Sequence, residues 1–193
     1  MGDAGTAERI AAAALAILVK EGAQAVTMRR VAAAAGVTAM ATYRHYPNRE
    51  ALLRKVADDA FAEIGRDWGH HAGAGDLETR LHRLSEDFLD FALGKPNLYR
   101  FLLTDRRDEA RRFPEDFRDG SSPAFSPVLE AVEQAIREGL LRPGDPIEIT
   151  LAVTMPVVGL VQFYLGGRIG LSEQDFRALC ARTVERVLDG TRK

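Results

Sequence analysis

The side chains with the most evident chemistry lie close together in the first quarter of the chain. Between Thr27 and Arg49 the sequence mixes arginines, a histidine, tyrosines and threonines with small apolar residues. An arginine fork can donate to both acceptors on the edge of a guanine, whereas hydroxyl and imidazole groups suit phosphate oxygens. These residue types favour a surface that binds nucleic acid over a catalytic centre.

The distribution of charge supports that interpretation. The formal net charge of the 193 residues is −2, which by itself argues against a polyanionic partner. Residues 1–55, however, carry eight basic and four acidic side chains, whereas the other 138 residues carry 18 basic and 24 acidic ones. A basic head on an acidic body directs one end of the molecule towards phosphate and turns the other away.

Two short helices must position these side chains, and each has a recognisable start. Thr27 is the expected N-cap of a helix from Met28 to Ala35, and Gly36 permits the positive φ of a tight turn after it. Thr38 is the expected N-cap of the next helix, Ala39 to Tyr46, which ends before a proline. Two short helices joined by a small turn are typical of a helix-turn-helix, whose second helix enters the DNA major groove.

The rest of the sequence predicts helix as well. No segment shows sustained apolar/polar alternation, whereas apolar residues recur at three- and four-residue spacing in several windows. We therefore expect an all-α fold of about nine helices, with a loop containing at most a brief helical turn at residues 105–122. The other seven helices are expected at residues 6–21, 48–68, 76–93, 96–102, 123–139, 145–167 and 172–188.

Residues 25–53 resemble the DNA-binding region of the TetR family of bacterial regulators. The resemblance is carried by Thr27-x-Arg29, the Ala-Gly-Val turn, Tyr43-Arg44-His45-Tyr46 and the run Asn48-Arg49-Glu50-Ala51-Leu52-Leu53. It implies a three-helix DNA-binding domain at 1–50 and a helical ligand-binding and dimerisation domain at 51–193. It also implies a homodimer that binds double-stranded DNA at a palindromic operator and is released by a small effector.

The same resemblance implies roles for particular side chains of the head. Arg29 occupies a position that often reaches a base edge, and Thr27 lies near a phosphate. The other implied contacts are the groove-facing Thr38, Ala39, Met40 and Arg44, the phosphate-binding Tyr43 and His45, and the cation Arg49 at the start of the fourth helix.

The recognition helix departs from the family pattern. Ala39 has no polar group, and Ala41 stands where the family often has a threonine that contacts phosphate. Base specificity is therefore expected to depend on Arg29 and Arg44, on apolar contacts of Ala39 and Met40 with thymine methyl groups, and on DNA shape. Structural alternatives stay open for four residues: solvated surface for Arg30 and Arg44, core for Tyr46, and a local bond within the turn for the hydroxyl of Thr42.

The body offers candidates for an effector site. Large apolar side chains with few charges between them favour a hydrophobic or aromatic ligand, although burial in the core is the simpler interpretation of each one alone. The candidates are Phe88, Phe91, Tyr99, Leu102, Phe117, Met155 and Phe163.

Ile149–Gly167 is a run of nineteen residues without a formal charge. Its length suits a membrane span, but its threonines, glycines and proline make it only moderately apolar. We expect it to be buried on all sides, in the core or against a partner helix. With the last helix it is expected to form half of an intersubunit four-helix bundle, in which Ala152 and Gly159 allow close approach.

Motifs of enzymes are missing from the sequence. There is no glycine-rich phosphate loop, nucleophile elbow or metal-spaced set of histidines and cysteines, so we expect neither catalysis nor a cofactor. The single cysteine, Cys180, is expected to be a small buried residue in a reducing compartment. Poor spacing disfavours a metal site built from His70, His71 and His82 with Glu78 or Glu86.

These observations predict a ligand-responsive transcription regulator, more specifically a repressor. The N-terminal residues show no basic start followed by an apolar stretch, so a cytoplasmic, nucleoid-associated location is expected. The helix from Asn48 to about Trp68 is the expected lever between effector and DNA. The alternatives are a transcriptional activator and, from another class, a helical enzyme that binds a small molecule.

Overall fold

The computed structural model describes residues 2–71, 75–107, 110, 112–113, 115–118, 122 and 124–192. Within these residues all regular structure is helical, apart from a single antiparallel bridge between Leu141 and Arg192. The predicted all-α class is therefore confirmed.

The described residues form ten α-helices and one short 3-10 turn. The first 71 residues contain α1 (Gly2–Glu21), the 3-10 turn (Ala23–Ala25), α2 (Met28–Ala35), α3 (Ala39–His45) and α4 (Arg49–His71). The helices that follow are α5 (Leu77–Gly94), α6 (Pro96–Leu103), α7 (Glu115–Arg118), α8 (Ser126–Arg137), α9 (Pro146–Leu165) and α10 (Glu173–Thr191).

Each predicted helix corresponds to an observed one, with ends that agree to within four residues. The tenth helix is α7, one turn inside the segment that was expected to be a loop with at most a brief helical turn. α1 begins at Gly2, four residues before the expected start at Thr6. The expected start of α8, Pro123, lies outside the described residues. The 3-10 turn was not predicted.

The chain divides into two compact units. One comprises residues 1–61 and 95–110, and the other comprises residues 62–94 and 111–193. The sixth helix, α6, therefore packs with the N-terminal head, and α4 continues from one unit into the other. The functional boundary that we expect at residue 50 stays a prediction.

In the first unit α1 packs against α2, α3 and α6. The periodic apolar face of α1 supplies Ile10, Ala14 and Leu18, all fully buried. Tyr99 of α6 is also fully buried. This core fixes the orientation of the two short helices that follow α1.

In the second unit α9 packs against α8 and α10, and α5 packs against α8, α9 and α10. Arg177 of α10 lies among the carboxylates of Glu86 and Asp90 on α5 and Glu173 on its own helix, at 2.8, 2.7 and 3.0 Å. Tyr164 of α9 stacks on the buried Phe176 of α10, with ring centroids 4.1 Å apart. These contacts hold the last helix against α5 and α9.

Cys180 is fully buried in this unit, as predicted. Burial, with a smaller contribution from Glu86, raises the pKa of its thiol to about 11. An unfolded thiol ionises near pH 8.5. Because the folded pKa is raised, the contribution of this group to stability is complete below about pH 8.5 and is lost as the pH rises towards 11.

We expect the native Cys180 thiol to resist an aromatic disulfide reagent at pH 8, because the sulfur is neither exposed nor ionised. In guanidinium chloride at the same pH, one thiol per chain should react within minutes. Equal reaction rates in both conditions would contradict the buried position.

Candidate nucleic-acid interface

Local hydrogen bonds set the bounds of α2 and α3. The hydroxyl of Thr27 accepts a bond from the backbone N–H of Arg30 at 3.3 Å, and the hydroxyl of Thr38 accepts one from Ala41 at 3.1 Å. Gly36 ends α2 in the left-handed conformation, with φ of 66°. Both predicted N-caps and the predicted glycine turn are confirmed, and α3 ends one residue early with Tyr46 as its C-cap.

One side of α3 is fixed against the first unit. Thr42 is fully buried, and its hydroxyl donates to the carbonyl of Thr38 at 3.3 Å. Tyr46 is buried as well, and its hydroxyl donates to the carbonyl of Ala7 in α1 at 3.3 Å. Burial raises the pKa of this phenol. The interpretations of Tyr46 as core and of Thr42 as a local bond are thereby confirmed, and the opposite side of α3 must face outwards.

The outward side of α3 carries side chains predicted for DNA contact. Met40 is 75% exposed and Tyr43 is 51% exposed, an unusual fraction for large apolar residues. His45 is half-buried on the last turn. The other exposed candidates, on α2, α3 and their N-caps, are Thr27, Arg29, Thr38, Ala39 and Arg44.

The arginines of the head fall into two groups. Among the described residues, Arg29 and Arg44 have no ion pair within the chain, and both are exposed. Arg30, their neighbour, bonds both carboxylate oxygens of Glu21 at 2.7 and 2.9 Å and donates to the carbonyl of Ala25 at 3.2 Å. The Arg30 guanidinium holds the pKa of Glu21 below its usual range. Arg30 is therefore a brace at the surface of the head: its side chain is 47% exposed, so it is solvated as well as bonded.

Arg49 also makes its bonds inside the protein. Its Nε donates to the carbonyl of Val26 at 2.7 Å and its Nη2 donates to the carbonyl of Ala23 at 2.6 Å. These carbonyls belong to the 3-10 turn and the residue after it. This geometry makes Arg49 a residue that positions the turn between α1 and α2, and its predicted contact with DNA stays a prediction.

Asn97 supplies a third brace, which was not predicted from the sequence. The side-chain amide of Asn97, in the first turn of α6, donates to the carbonyl of Val19 at 3.1 Å. Asn97 also lies within 4 Å of the position that a side chain at Gly22 would take, where α1 ends with φ of 87°. Side chains from α2, α4 and α6 thus hold one short stretch of backbone, residues 19–26.

Replacing Arg49 with alanine removes two charge-assisted hydrogen bonds, so we expect a loss of roughly 2 kcal/mol in the free energy of unfolding. Urea denaturation measures this loss. Arg44→Ala is the matched control, because Arg44 is exposed and has no ion pair among the described residues, and its stability should equal that of the wild type. Equal stabilities of Arg49→Ala and the wild type would refute the bracing role.

The seven residues predicted to line an effector cavity do not share one environment. Tyr99 and Leu102 are buried in the core of the first unit, so the simpler interpretation applies to them. Phe117 packs on Phe125, with ring centroids 5.0 Å apart. Phe88 and Phe91 of α5 both contact Trp68 of α4 edge to face, each with centroids 6.3 Å apart. Trp68 was not among the predicted residues.

The remaining two candidates lie on the outside of α9. Met155 is 46% exposed and Phe163 is 58% exposed, so neither lines an enclosed cavity within the chain. With Ala152 and Gly159 they follow helical spacing along one side of α9. Their role as effector contacts stays a prediction, and the structure places both on the exposed side of α9.

α9 also differs from the expectation of burial on all sides. It is long and apolar enough to cross a membrane by length and composition, with a mean hydropathy of 1.6, and 28% of that stretch is buried. Its buried side consists of Ile147, Thr150, Val153, Val157 and Val161. In the part of the chain that the structure describes, the buried residues of α9 all lie on this side.

No group of three or more histidine, cysteine or carboxylate side chains that could hold a metal occurs in the described part of the chain. The side chains of His70 and His71, considered above as metal ligands, lie outside it.

Two family models match most of the sequence. The model for bacterial regulatory proteins of the tetR family matches residues 10–56. The model for the tetracyclin repressor-like C-terminal domain matches residues 81–187, which is more than half of the chain.

Curated relatives are more distant. The tetracycline repressor protein class A from transposon 1721 of Escherichia coli is 28% identical over 77% of this chain and 62% of its own length. The nucleoid occlusion factor SlmA of Vibrio cholerae is 28% identical over 67% of this chain and 65% of its own length. The chain thus spans less than two thirds of the length of these relatives.

Solved structures share the fold over nearly the whole chain. A protein of unknown function from Rhodococcus sp. RHA1 has a TM-score of 0.80 at 20% identity and covers 97% of this chain and 96% of its own. The regulator FadR of Bacillus subtilis, in complex with stearoyl-CoA, has a TM-score of 0.74 at 14% identity, covering 95% and 98%. The SmeT–triclosan complex has a TM-score of 0.67 at 20% identity, covering 98% and 92%.

Proposed function

Because this chain belongs to the tetR family of bacterial regulatory proteins, we propose that it represses transcription by binding operator DNA through α3 and Arg29. The family and the fold point to a regulator without enzymatic activity. The observation that carries the proposal is that the arginines of the head fall into a bonded group and an exposed group. Arg30 and Arg49 are bonded within the chain, whereas Arg29 of α2 and Arg44 of α3 are exposed and have no ion pair among the described residues.

This arrangement suits DNA for electrostatic and geometric reasons. Exposed guanidinium groups can replace the counterions around DNA or bond guanine edges, whereas Arg30 and Arg49 can do so only by giving up bonds inside the head. Thr27, Tyr43 and His45 are proposed to bond phosphates and to set the register of α3 in the groove. The braces at residues 19–26 hold these groups on a rigid unit.

We propose that the functional protein is a homodimer. The exposed side of α9, formed by Ala152, Met155, Gly159 and Phe163, combines small residues with large apolar ones, as helix interfaces do. A second copy of α9 and α10 would cover this side and complete a four-helix bundle. Two heads would then read two half-sites about one DNA turn apart, which requires a palindromic operator.

We further propose that a small, largely apolar effector controls DNA binding. The structural neighbours hold stearoyl-CoA and triclosan, both with large apolar parts. In this chain the aromatic cluster of Trp68, Phe88 and Phe91 offers the best-defined apolar site. Trp68 and Arg49 lie near opposite ends of α4. An effector that displaces α4 at Trp68 would therefore also displace Arg49, whose side chain bonds the 3-10 turn.

A second candidate function follows from the relatives. SlmA proteins match this chain about as well as the tetracycline repressor does, and they are named as nucleoid occlusion factors. Both candidates require binding to DNA and a cytoplasmic location at the nucleoid. They differ in the number of genomic sites, because a repressor of one operon needs few sites and a chromosome-wide factor needs many. Activation instead of repression would follow from the position of the operator.

Selection of bound duplexes from a random pool tests the proposal. We expect enrichment of an inverted repeat with half-sites about 10 base pairs apart, centre to centre. Affinity for the enriched duplex should fall steeply as salt is raised. Failure to enrich any sequence would overturn the proposal, and genome-wide occupancy would separate the two candidate functions.

A further inference from the structure

The first turn of α3 presents no free hydrogen-bonding side chain. The hydroxyl of Thr38, at the N-cap before this turn, accepts the bond from the N–H of Ala41 that starts the helix and keeps only its O–H donor for a partner. Ala39 and Met40 come next, and both are exposed and apolar. In a helix-turn-helix the N-terminal residues of the second helix are the ones that reach base edges.

An apolar first turn can recognise only the apolar feature of a base edge. In the major groove that feature is the methyl group at C5 of thymine, whereas the other features are hydrogen-bond donors and acceptors. Met40 suits such a contact because its side chain is flexible and polarizable and adapts to irregular apolar surfaces. Its 75% exposure in the free protein leaves its thioether and terminal methyl available for the partner.

A methyl contact has a consequence for specificity. Thymine carries an acceptor at C4 and 5-methylcytosine carries a donor there, but both carry the same methyl group at C5. Ala39 and Met40 have no polar group with which to distinguish the two exocyclic groups. Within one turn of Met40 the polar side chains are Thr38, Thr42, Tyr43 and Arg44. The hydroxyl of Thr42 is buried and donates to the carbonyl of Thr38.

We propose, on the basis of the proposed function, that Met40 reads the C5 methyl group of a pyrimidine and accepts 5-methylcytosine in place of thymine. Cytosine methylation inside the operator then increases affinity at this position. Met40 is the residue that determines this specificity, and Ala39 leaves room for the methyl group beside it.

The test uses the enriched duplex in four forms at each pyrimidine of the half-site: thymine or uracil opposite adenine, and 5-methylcytosine or cytosine opposite guanine. Comparing within each pair isolates the methyl group, because the opposite purine stays the same. At the Met40 position we expect the methyl group to strengthen binding about fourfold per half-site in both pairs, as burial of one methyl group predicts.

Variants of position 40 assign the effect to Met40. Met40→Ala should reduce the methyl dependence to less than about 1.5-fold in both pairs, and Met40→Leu, which keeps an apolar side chain of similar volume, should retain it. Arg44→Ala is the control on the same helix side: it should weaken binding to all four duplexes and leave the methyl dependence intact.

The outcomes separate this inference from the proposed function. Binding of the enriched duplex with no methyl dependence at any position, or a dependence confined to the thymine pair, would overturn the inference alone. A dependence that persists in Met40→Ala would also overturn it. Failure to enrich any duplex would overturn both.

Discussion

Arg29→Ala is expected to weaken binding to the enriched duplex by roughly 100-fold, because each of two heads loses a base contact worth about 1–3 kcal/mol. The Arg29 side chain is exposed and has no ion pair within the described residues, so its loss should leave the fold unchanged. Titration of a labelled duplex, with unfolding curves to verify stability, measures both effects.

Arg30→Ala is the matched control for this prediction. The two arginines are adjacent, but the guanidinium of Arg30 is bonded to Glu21 and to the carbonyl of Ala25. We expect its loss to change affinity by less than about threefold, the size of a general electrostatic effect, and to lower stability instead. If both variants lost affinity equally, charge alone would explain the result and Arg29 would have no specific role. If Arg29→Ala bound like the wild type, the interface would lie elsewhere.

Phe163→Asp is expected to convert the dimer into a monomer at micromolar concentrations. Phe163 is the most exposed of the large apolar residues on α9, and a carboxylate there would have to be buried in an apolar interface without a partner. Sedimentation velocity should show the wild type at twice the mass of the chain and the variant at the mass of one chain. The variant should also lose tight binding to the inverted repeat, because a single head makes half of the contacts.

Leu140→Asp is the control for the dimer interface. Leu140 is 49% exposed and lies between α8 and α9, so it is not part of the exposed side of α9. This variant should remain a dimer. A dimeric Phe163→Asp variant, or dissociation of both variants to the same extent, would contradict the assignment of the α9 side to the interface.

The features that the sequence predicted correctly depend on near neighbours. Thr27 and Thr38 accept bonds from residues three positions away, and Gly36 takes the positive φ that its turn requires. Such bonds follow from residue type and spacing, so a single sequence is enough to predict them. The bounds of α2 and the start of α3 were obtained in this way.

The features that the sequence missed depend on distant partners. Arg30 bonds Glu21 nine residues earlier, Arg49 bonds carbonyls 23 and 26 residues away, and Asn97 reaches Val19 across 78 residues. Residue type cannot show that a particular carbonyl of a 3-10 turn lies open to a guanidinium. The positioning role of Arg49 could therefore be found only from the packing.

The predicted effector residues illustrate a different limit. α9 is apolar around most of its circumference, so its sequence does not distinguish the side that packs on α8 and α10 from the side that faces outwards. Met155 and Phe163, predicted as effector contacts because they are large and apolar, lie on the exposed side. Trp68 was not predicted as an effector residue, although its ring contacts Phe88 and Phe91, two of the predicted ones.

Hydroxyl-radical footprinting of the wild-type protein on its enriched duplex tests the central claim most directly. The account predicts two protected regions of equal length, related by a dyad and about one DNA turn apart, and predicts that both disappear together with Arg29→Ala. A single protected region, protection without a dyad, or an unchanged footprint with Arg29→Ala would contradict it.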